Sequence, residues 1–222
     1  VRTEEFLAAI DYPLPSPAEG RVEIRTFGGP SPWGAAGDQM LLVVVMAGPE
    51  AQGVAAPDRP IARAAELTVK FVPQSVAAYR LLGHEAVSTV GLLDGPFEFD
   101  LQPGQTCVGL FELRFRAAGG ERIGRATLSW YDRDHQRQQL RLPVGRQEFA
   151  PTFEDSAGPL QAAVLMAETA ELFRRSPFVD RPASSLQAVR QMADRADPAL
   201  RGTPSFQDYL KFLETALRAG LR

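Results

Sequence analysis

The chain has 222 residues and a formal net charge of −3 at pH 7, with 45% hydrophobic and 23% charged residues. This composition is close to the globular average and excludes a disordered, collagen-like or coiled-coil chain. The charge provides no bulk attraction to nucleic acid or to an anionic membrane. The longest apolar run, residues 40–47, is far shorter than the ~20 residues of a membrane-spanning helix, so we expect no transmembrane segment. Cys107 is the single cysteine and forms no intramolecular disulfide.

Alternating apolar and polar residues predict a series of β-strands up to about residue 145. A short helix over residues 3–10 precedes them and ends at the prolines that follow Asp11. The continuous apolar run at 40–47 predicts a strand that is covered on both faces. The predicted strands lie near residues 22–26, 40–47, 66–71, 97–101, 107–115, 126–130 and 140–144. Short strands separated by turn residues favour an antiparallel β-sandwich.

After Phe149 the apolar residues repeat with a period of about 3.6, which predicts three helices. The first helix runs from near residue 160 to 174, and the second covers 186–193. The third has Thr203 as N-cap, Pro204 at its first position and Gly220 as its stop. The predicted fold class is α+β, with a β-sandwich over residues 1–148 and a helical region packed on it over 149–222.

The densest polar cluster, Asp132-Arg-Asp-His135, lies between two predicted strands. Aspartate side chains bond the local backbone in tight turns, so we interpret the cluster as a hairpin loop. The alternative is a hydrolase site that uses Asp132, Asp134 and His135 as acid, base or ligand. His84 is a second candidate for catalysis, and a structural or surface role is the simpler interpretation.

Two aromatic residues, Trp33 and Tyr131, are candidates for stacking on a ligand ring. Alternation places Trp130 inward and Tyr131 outward. The run Gly28-Gly-Pro-Ser-Pro-Trp-Gly34 lacks the Gly-Lys-Ser/Thr end of a phosphate loop and predicts a rigid turn on which Trp33 packs. Cys107 falls on the apolar face of its strand, which predicts an inert thiol.

The sequence contains no Gly-x-Ser-x-Gly, His-Glu-x-x-His or Cys-x-x-Cys motif. These motifs carry common nucleophiles and metal ligands. From the residues we predict no catalytic set, no cofactor and no metal, and therefore a protein that is not an enzyme.

Several segments together resemble one family. They are residues 1–15 and 22–26, Pro30-Ser-Pro-Trp33, Glu66-Leu-Thr-Val-Lys-Phe-Val-Pro73, 76–85 with its Leu82-Gly-His-Glu85 end, and Leu172-Phe-Arg-Arg-Ser-Pro-Phe178. In this order they resemble bacterial von Willebrand factor A (VWA) domain proteins of the envelope lipoprotein type. The resemblance covers the family's N-terminal region and its uncharacterised C-terminal region, and it implies a location in the cell envelope or periplasm.

In that family a VWA domain with an Asp-x-Ser-x-Ser metal-binding motif lies between the two regions. The motif is absent from this chain, so no residue of this sequence corresponds to the family's metal ligands. We place the insertion point near residues 57–66, and we expect the strand near 22–27 and the run 40–47 to pair with strands from 66–144. The resemblance implies a non-enzymatic scaffold or interaction module with protein partners. A carbohydrate-binding sandwich that stacks sugars on Trp33 or Tyr131 is the alternative.

Overall fold

The computed structural model describes residues 2–34, 37–50, 59–83, 97–179 and 184–220. The strands are β1 (Val22–Pro30), β2 (Asp38–Ala47), β3 (Ala62–Phe71), β4 (Val76–Leu81), β5 (Phe97–Leu101), β6 (Thr106–Phe115), β7 (Arg122–Tyr131) and β8 (Arg137–Gly145). The helices are α1 (Thr3–Ala8), α2 (Gly158–Phe173), α3 (Leu186–Asp194), α4 (Pro198–Arg201) and α5 (Pro204–Arg218). A 3₁₀ turn at Arg146–Glu148 follows β8.

The strands form two antiparallel four-stranded sheets. The first sheet has the order β1-β2-β6-β4, and the second has the order β5-β3-β7-β8. Together with the helices they confirm the predicted α+β class. The predicted pairing of the 40–47 run with a later strand is present, because Val43 of β2 lies opposite Gly109 of β6.

A hydrophobic core lies between the inner faces of the two sheets. Alternate residues of β2 enter it, as a period of two requires: Leu41, Val43 and Val45. Phe111 of β6 in the first sheet and Leu128 of β7 in the second sheet belong to the same core, and both are fully buried. The sheets therefore pack in a sandwich-like arrangement.

A second core lies on the outer face of the first sheet, where the helices pack. The intervening residues of β2, Leu42 and Val44, point into this core. The prediction that this strand is covered on both faces is confirmed. Helix α2 is buried along almost its whole length because it packs on β1 and β2 and is flanked by α1, α3 and α4. Helix α5 is the third of the predicted helices and begins where it was predicted to begin. The Thr203 side chain caps it by accepting a hydrogen bond from the Phe206 amide.

Three features differ from the sequence-based expectations. Among the described strands, β1 pairs with β2 alone and along its whole length, and it meets the later chain through a bridge from Gly28 to Phe149 and through side-chain packing. The expectation that β1 pairs with strands from 66–144 is therefore wrong for the strands that the structure describes. Strand β4 was not predicted, because a register shift between Val76 and Ala78 interrupts its alternation. Helix α4 has four residues, which is too short to show a period.

Candidate functional site

One end of the two-sheet structure brings together the chain segments that the sequence singled out. The start of β3 pairs with the end of β5 and, on its other side, with the end of β7. The β7–β8 hairpin turn, residues 132–136, follows directly. The two chain ends that flank residues 51–58 lie beside it, at Glu50 and Arg59.

The Asp132 carboxylate organises the hairpin turn. Its Oδ1 accepts hydrogen bonds from the backbone amides of Asp134 (3.0 Å) and Gln136 (2.8 Å). Its Oδ2 accepts a 2.6 Å bond from the Gln138 side chain. These bonds, the Gln136 amide above all, lower the pKa of Asp132 below its ordinary value. The predicted hairpin loop is confirmed, and both carboxylate oxygens of Asp132 accept hydrogen bonds from within the hairpin.

A surface hollow of about 390 Å³ opens between the hairpin turn and the start of β3. The described residues that line this hairpin hollow are Arg63, Ala64, Asp100, Tyr131 and His135. Tyr131 is 45% exposed, as its predicted outward position requires. Of the predicted Asp132, Asp134 and His135 set, only His135 is among these lining residues. The hydrolase function remains a prediction.

A β-bulge shapes the floor of the hollow. The register of β3 shifts between Ala62 and Ala65 against β5, so that two residues stand opposite Asp100. Ala64 has φ of 44°, in the left-handed region that side chains other than glycine rarely adopt. Its amide donates a 2.8 Å hydrogen bond to Oδ1 of Asp100, which holds this strained backbone in place.

Arg133, at the tip of the same hairpin, joins the two chain ends beside it. Its guanidinium binds the Glu50 carboxylate through both terminal nitrogens, with 2.6 Å between Nη2 and Oε2. The same Nη2 donates a 2.9 Å hydrogen bond to the Arg59 carbonyl. We call this arrangement the Arg133 clamp. Residues 51–58, including Pro57 and Asp58 of the predicted insertion range, lie outside the described residues.

The other residues singled out from the sequence occupy different places. Trp33 is 5% exposed and packs in the helix-side core. A buried ring has little free face for a sugar, so Tyr131 is the better placed of the two stacking candidates. Trp130 is buried between the sheets, as predicted. His84 lies outside the described residues. Stacking on Trp33 and Tyr131 remains a prediction.

Cys107 lies on the sandwich side of β6 and is partly buried. Burial raises the pKa of its thiol, which disfavours the reactive thiolate. The residue borders a cavity of about 210 Å³ that is lined mainly by leucine and phenylalanine side chains of the first sheet, the second sheet and α1, together with Glu4 and Glu98. The thiol is therefore in a largely apolar setting.

Two wider observations concern the described ranges. No three His, Cys, Asp or Glu side chains in them are grouped so that they could hold a metal ion. None of the helices found there has the length and apolar character needed to cross a membrane.

Comparisons of the chain with protein-family models, with curated proteins and with solved structures found no match. The geometry of the hairpin end is therefore the basis on which we infer a function.

Proposed function

We propose that this chain is the non-enzymatic framework of a VWA-type protein of the bacterial cell envelope, and that it presents an inserted domain to protein partners. The insertion point is the connection between β2 and β3. The observation that supports this proposal is the Arg133 clamp, in which one guanidinium binds both Glu50 and the Arg59 carbonyl.

An inserted domain needs two chain ends that lie close together at the surface of its host. The clamp meets this requirement because a single nitrogen, Nη2 of Arg133, donates to both ends. The host must also fold from both flanks of the insertion. The pairing of β2 with β6 joins the flanks directly, so residues on both sides of the connection belong to one packed body.

Backbone hydrogen bonds hold each end on its own side of the connection. Before it, the Gly48 amide donates to Arg21 and the Gly48 carbonyl accepts from Gly104, at 2.7 and 2.9 Å. After it, the Ile61 amide donates to the Leu101 carbonyl at 2.9 Å. The framework can therefore keep its shape with different lengths of chain between Glu50 and Arg59, since loop closure costs rise only slowly with length.

The predicted insertion range, residues 57–66, overlaps the first residues of β3. Ala62 to Glu66 belong to β3, which is paired on both sides with β5 and β7. An insertion there would break two ladders of backbone hydrogen bonds. The proposal therefore assigns the junction to the chain before Ala62.

The first test is the sequence of the native gene between the codons for Glu50 and Ala62. A segment that encodes a domain with Asp-x-Ser-x-Ser would support the proposed family and the insertion. A gene without such a segment would contradict the insertion and leave the sheets and helices as the whole functional unit.

A second test inserts a small folded domain with adjacent termini after Pro57, with the same insertion after Ala64 as its matched control. We expect the first chimaera to keep the cooperative urea unfolding of the parent and the second to lose it, because only the second interrupts β3. Equal loss of folding in both chimaeras would contradict the proposal.

A further inference from the structure

The hairpin hollow combines an aromatic face with polar groups from three different parts of the chain. Arg63 and Tyr131 are directly opposite each other in the register of β3 and β7, so their side chains are cross-strand neighbours. Asp100 comes from β5, and His135 comes from the hairpin turn. Ligand sites typically have this character, with an apolar ring and a few polar groups that converge on one concave surface.

The backbone at the hollow is held in an unfavourable conformation. Ala64 has φ of 44°, and the bulge around it places Arg63 and Ala64 together against Asp100. Strained non-glycine residues and bulges occur preferentially beside binding sites, where they direct a side chain. Here the bulge lies directly beside the Arg63–Tyr131 pair.

The polar groups retain hydrogen-bonding capacity toward a ligand. The Arg63 guanidinium and the His135 imidazole form no hydrogen bond with any residue that the structure describes. The Asp100 carboxylate uses Oδ1 for the Ala64 amide, and a carboxylate can accept several further hydrogen bonds. The hollow therefore offers both donors and acceptors around an exposed ring.

From these features we infer that the hairpin hollow binds a neutral oligosaccharide, with one sugar ring stacked on Tyr131 and its hydroxyl groups bonded by Arg63, Asp100 and His135. Sugar hydroxyls donate and accept at once, which matches a lining that carries both functions. One positive and one negative side chain, Arg63 and Asp100, make the formal charge of the lining balanced. A phosphate or nucleic acid would meet the Asp100 carboxylate with repulsion, and the chain as a whole has a net charge of −3.

This inference is independent of the proposed insertion, because none of the lining residues takes part in the Arg133 clamp. Its test is a titration of the ¹⁵N-labelled protein, followed by amide chemical shifts, with cellotriose, maltotriose and chitotriose in turn. Each probe is used at ~10 mM, which detects millimolar affinity. We expect at least one probe to shift the amides of Ala64, Tyr131 and His135.

Three variants identify the contact. Tyr131→Ala removes the ring and is expected to weaken binding about tenfold or more, whereas Tyr131→Phe keeps the ring face and most of the affinity. Phe212→Ala is the matched control, because Phe212 is an exposed aromatic residue (41%) on α5, away from the hollow. It should leave the affinity unchanged.

Three results would overturn the inference. The first is the absence of shifts at these amides with all three trisaccharides, and the second is equal shifts in Tyr131→Ala and the parent. The third is an equal response to inorganic phosphate at the same concentration, which would indicate an anion site. Urea unfolding of every variant checks that the fold is retained.

Discussion

The hydroxyl group of Thr3 donates a 2.9 Å hydrogen bond to Oε1 of Glu171, a residue 168 positions further along the chain. Glu171 is 1% exposed and also pairs with Arg174 (2.8 Å) and Arg80 (3.5 Å). Arg80 in turn binds Glu112 of β6 at 2.6 Å. This network joins α1 and α2 to the first sheet.

We predict that Glu171→Ala destabilises the protein by about 3–5 kcal/mol, because it removes the buried carboxylate that Thr3, Arg80 and Arg174 share, although Arg80 keeps its pair with Glu112. Burial already lowers the pKa of Arg174, and the neighbouring Arg80 charge adds to this effect. Urea unfolding measures the change. The control Glu214→Ala removes a carboxylate that is 45% exposed and pairs with Arg190, and it should cost within ~1 kcal/mol. Similar losses of unfolding free energy in both variants would show that the buried network stabilises the protein no more than an exposed ion pair does.

The hydroxyl group of Tyr209 is buried between α5 and α2, where it donates to the Leu165 carbonyl at 3.0 Å and lies 2.7 Å from the Thr169 hydroxyl. Burial raises the pKa of Tyr209 above its ordinary value of 10.0. Above about pH 10 the unfolded chain loses this proton and the folded chain keeps it. The free energy of unfolding should therefore fall as pH rises, by up to ~1.4 kcal/mol per pH unit for this group.

The variant Tyr209→Phe tests that prediction. At pH 7 it should cost about 1–3 kcal/mol, because the Leu165 carbonyl and the Thr169 hydroxyl each lose one buried hydrogen bond, while Thr169 keeps its own bond to Leu165. Above about pH 10 the free energy of unfolding of Tyr209→Phe should fall less steeply with pH than that of the parent. Tyr131→Phe is the control, since Tyr131 is exposed. An alkaline slope that is the same in the parent and in Tyr209→Phe would contradict the assignment.

The sequence predicted much of the fold because the pattern of each strand and helix is local. Of the eight strands in the described residues, six follow from a period of two and β2 follows from its continuous apolar run, while the three longer C-terminal helices follow from a period of 3.6. The fully apolar β2 even indicated that both of its faces are covered. The missed strand, β4, has a bulge at Val76–Ala78, and a bulge destroys the alternation on which strand prediction depends.

The candidate sites were less predictable because they depend on contacts between distant segments. The outward position of Tyr131 could be inferred from alternation, but Arg63 and Asp100 reach it through strand pairing and through a bulge at Ala64. Arg133 belonged to a cluster that the sequence did identify. Its bonds to Glu50 and Arg59 cross 83 and 74 positions, and no spacing rule predicts them.

The hairpin turn predicts a specific acid sensitivity. Backbone and side-chain donors lower the pKa of Asp132 below its ordinary 3.8, so the unfolded chain binds a proton at higher pH than the folded chain. The stabilisation is complete above the unfolded value and is lost as pH falls through the lower, folded value. We expect Asp132→Asn to reduce the steepness of acid unfolding below about pH 4.

Asp134→Asn is the matched control for this experiment, because it makes the same chemical change two positions away. Oδ1 of Asp132 accepts two backbone amides, whereas the Gln136 side chain bonds the backbone carbonyl of Asp134 and not its carboxylate. The control should retain the parent's acid transition. A larger change in the control than in Asp132→Asn would contradict the proposed role of Asp132 in the turn.

The last prediction concerns the Arg133 clamp, on which the proposed insertion depends. Arg133 and Glu50 have side chains that are 25% and 23% exposed, and they form a two-pronged pair in which each terminal nitrogen meets one carboxylate oxygen. A double-mutant cycle with Arg133→Ala and Glu50→Ala should give a coupling free energy of about 1–3 kcal/mol in urea unfolding. Arg133→Lys should retain less than half of this coupling free energy, because an ammonium group cannot bind both carboxylate oxygens of Glu50 as the planar guanidinium does.

The exposed pair Lys211–Asp208, with side chains 73% and 75% exposed, provides the reference cycle, and its coupling should be about 0.5 kcal/mol or less. If the Arg133–Glu50 coupling is no larger than this reference, the clamp does not hold the two chain ends together. The β2–β3 connection would then lack the preorganised, closely spaced ends that a host for an inserted domain requires. A large coupling that is retained when a folded domain is inserted after Pro57 would mean that Arg133 still joins Glu50 and Arg59 when the insertion is present.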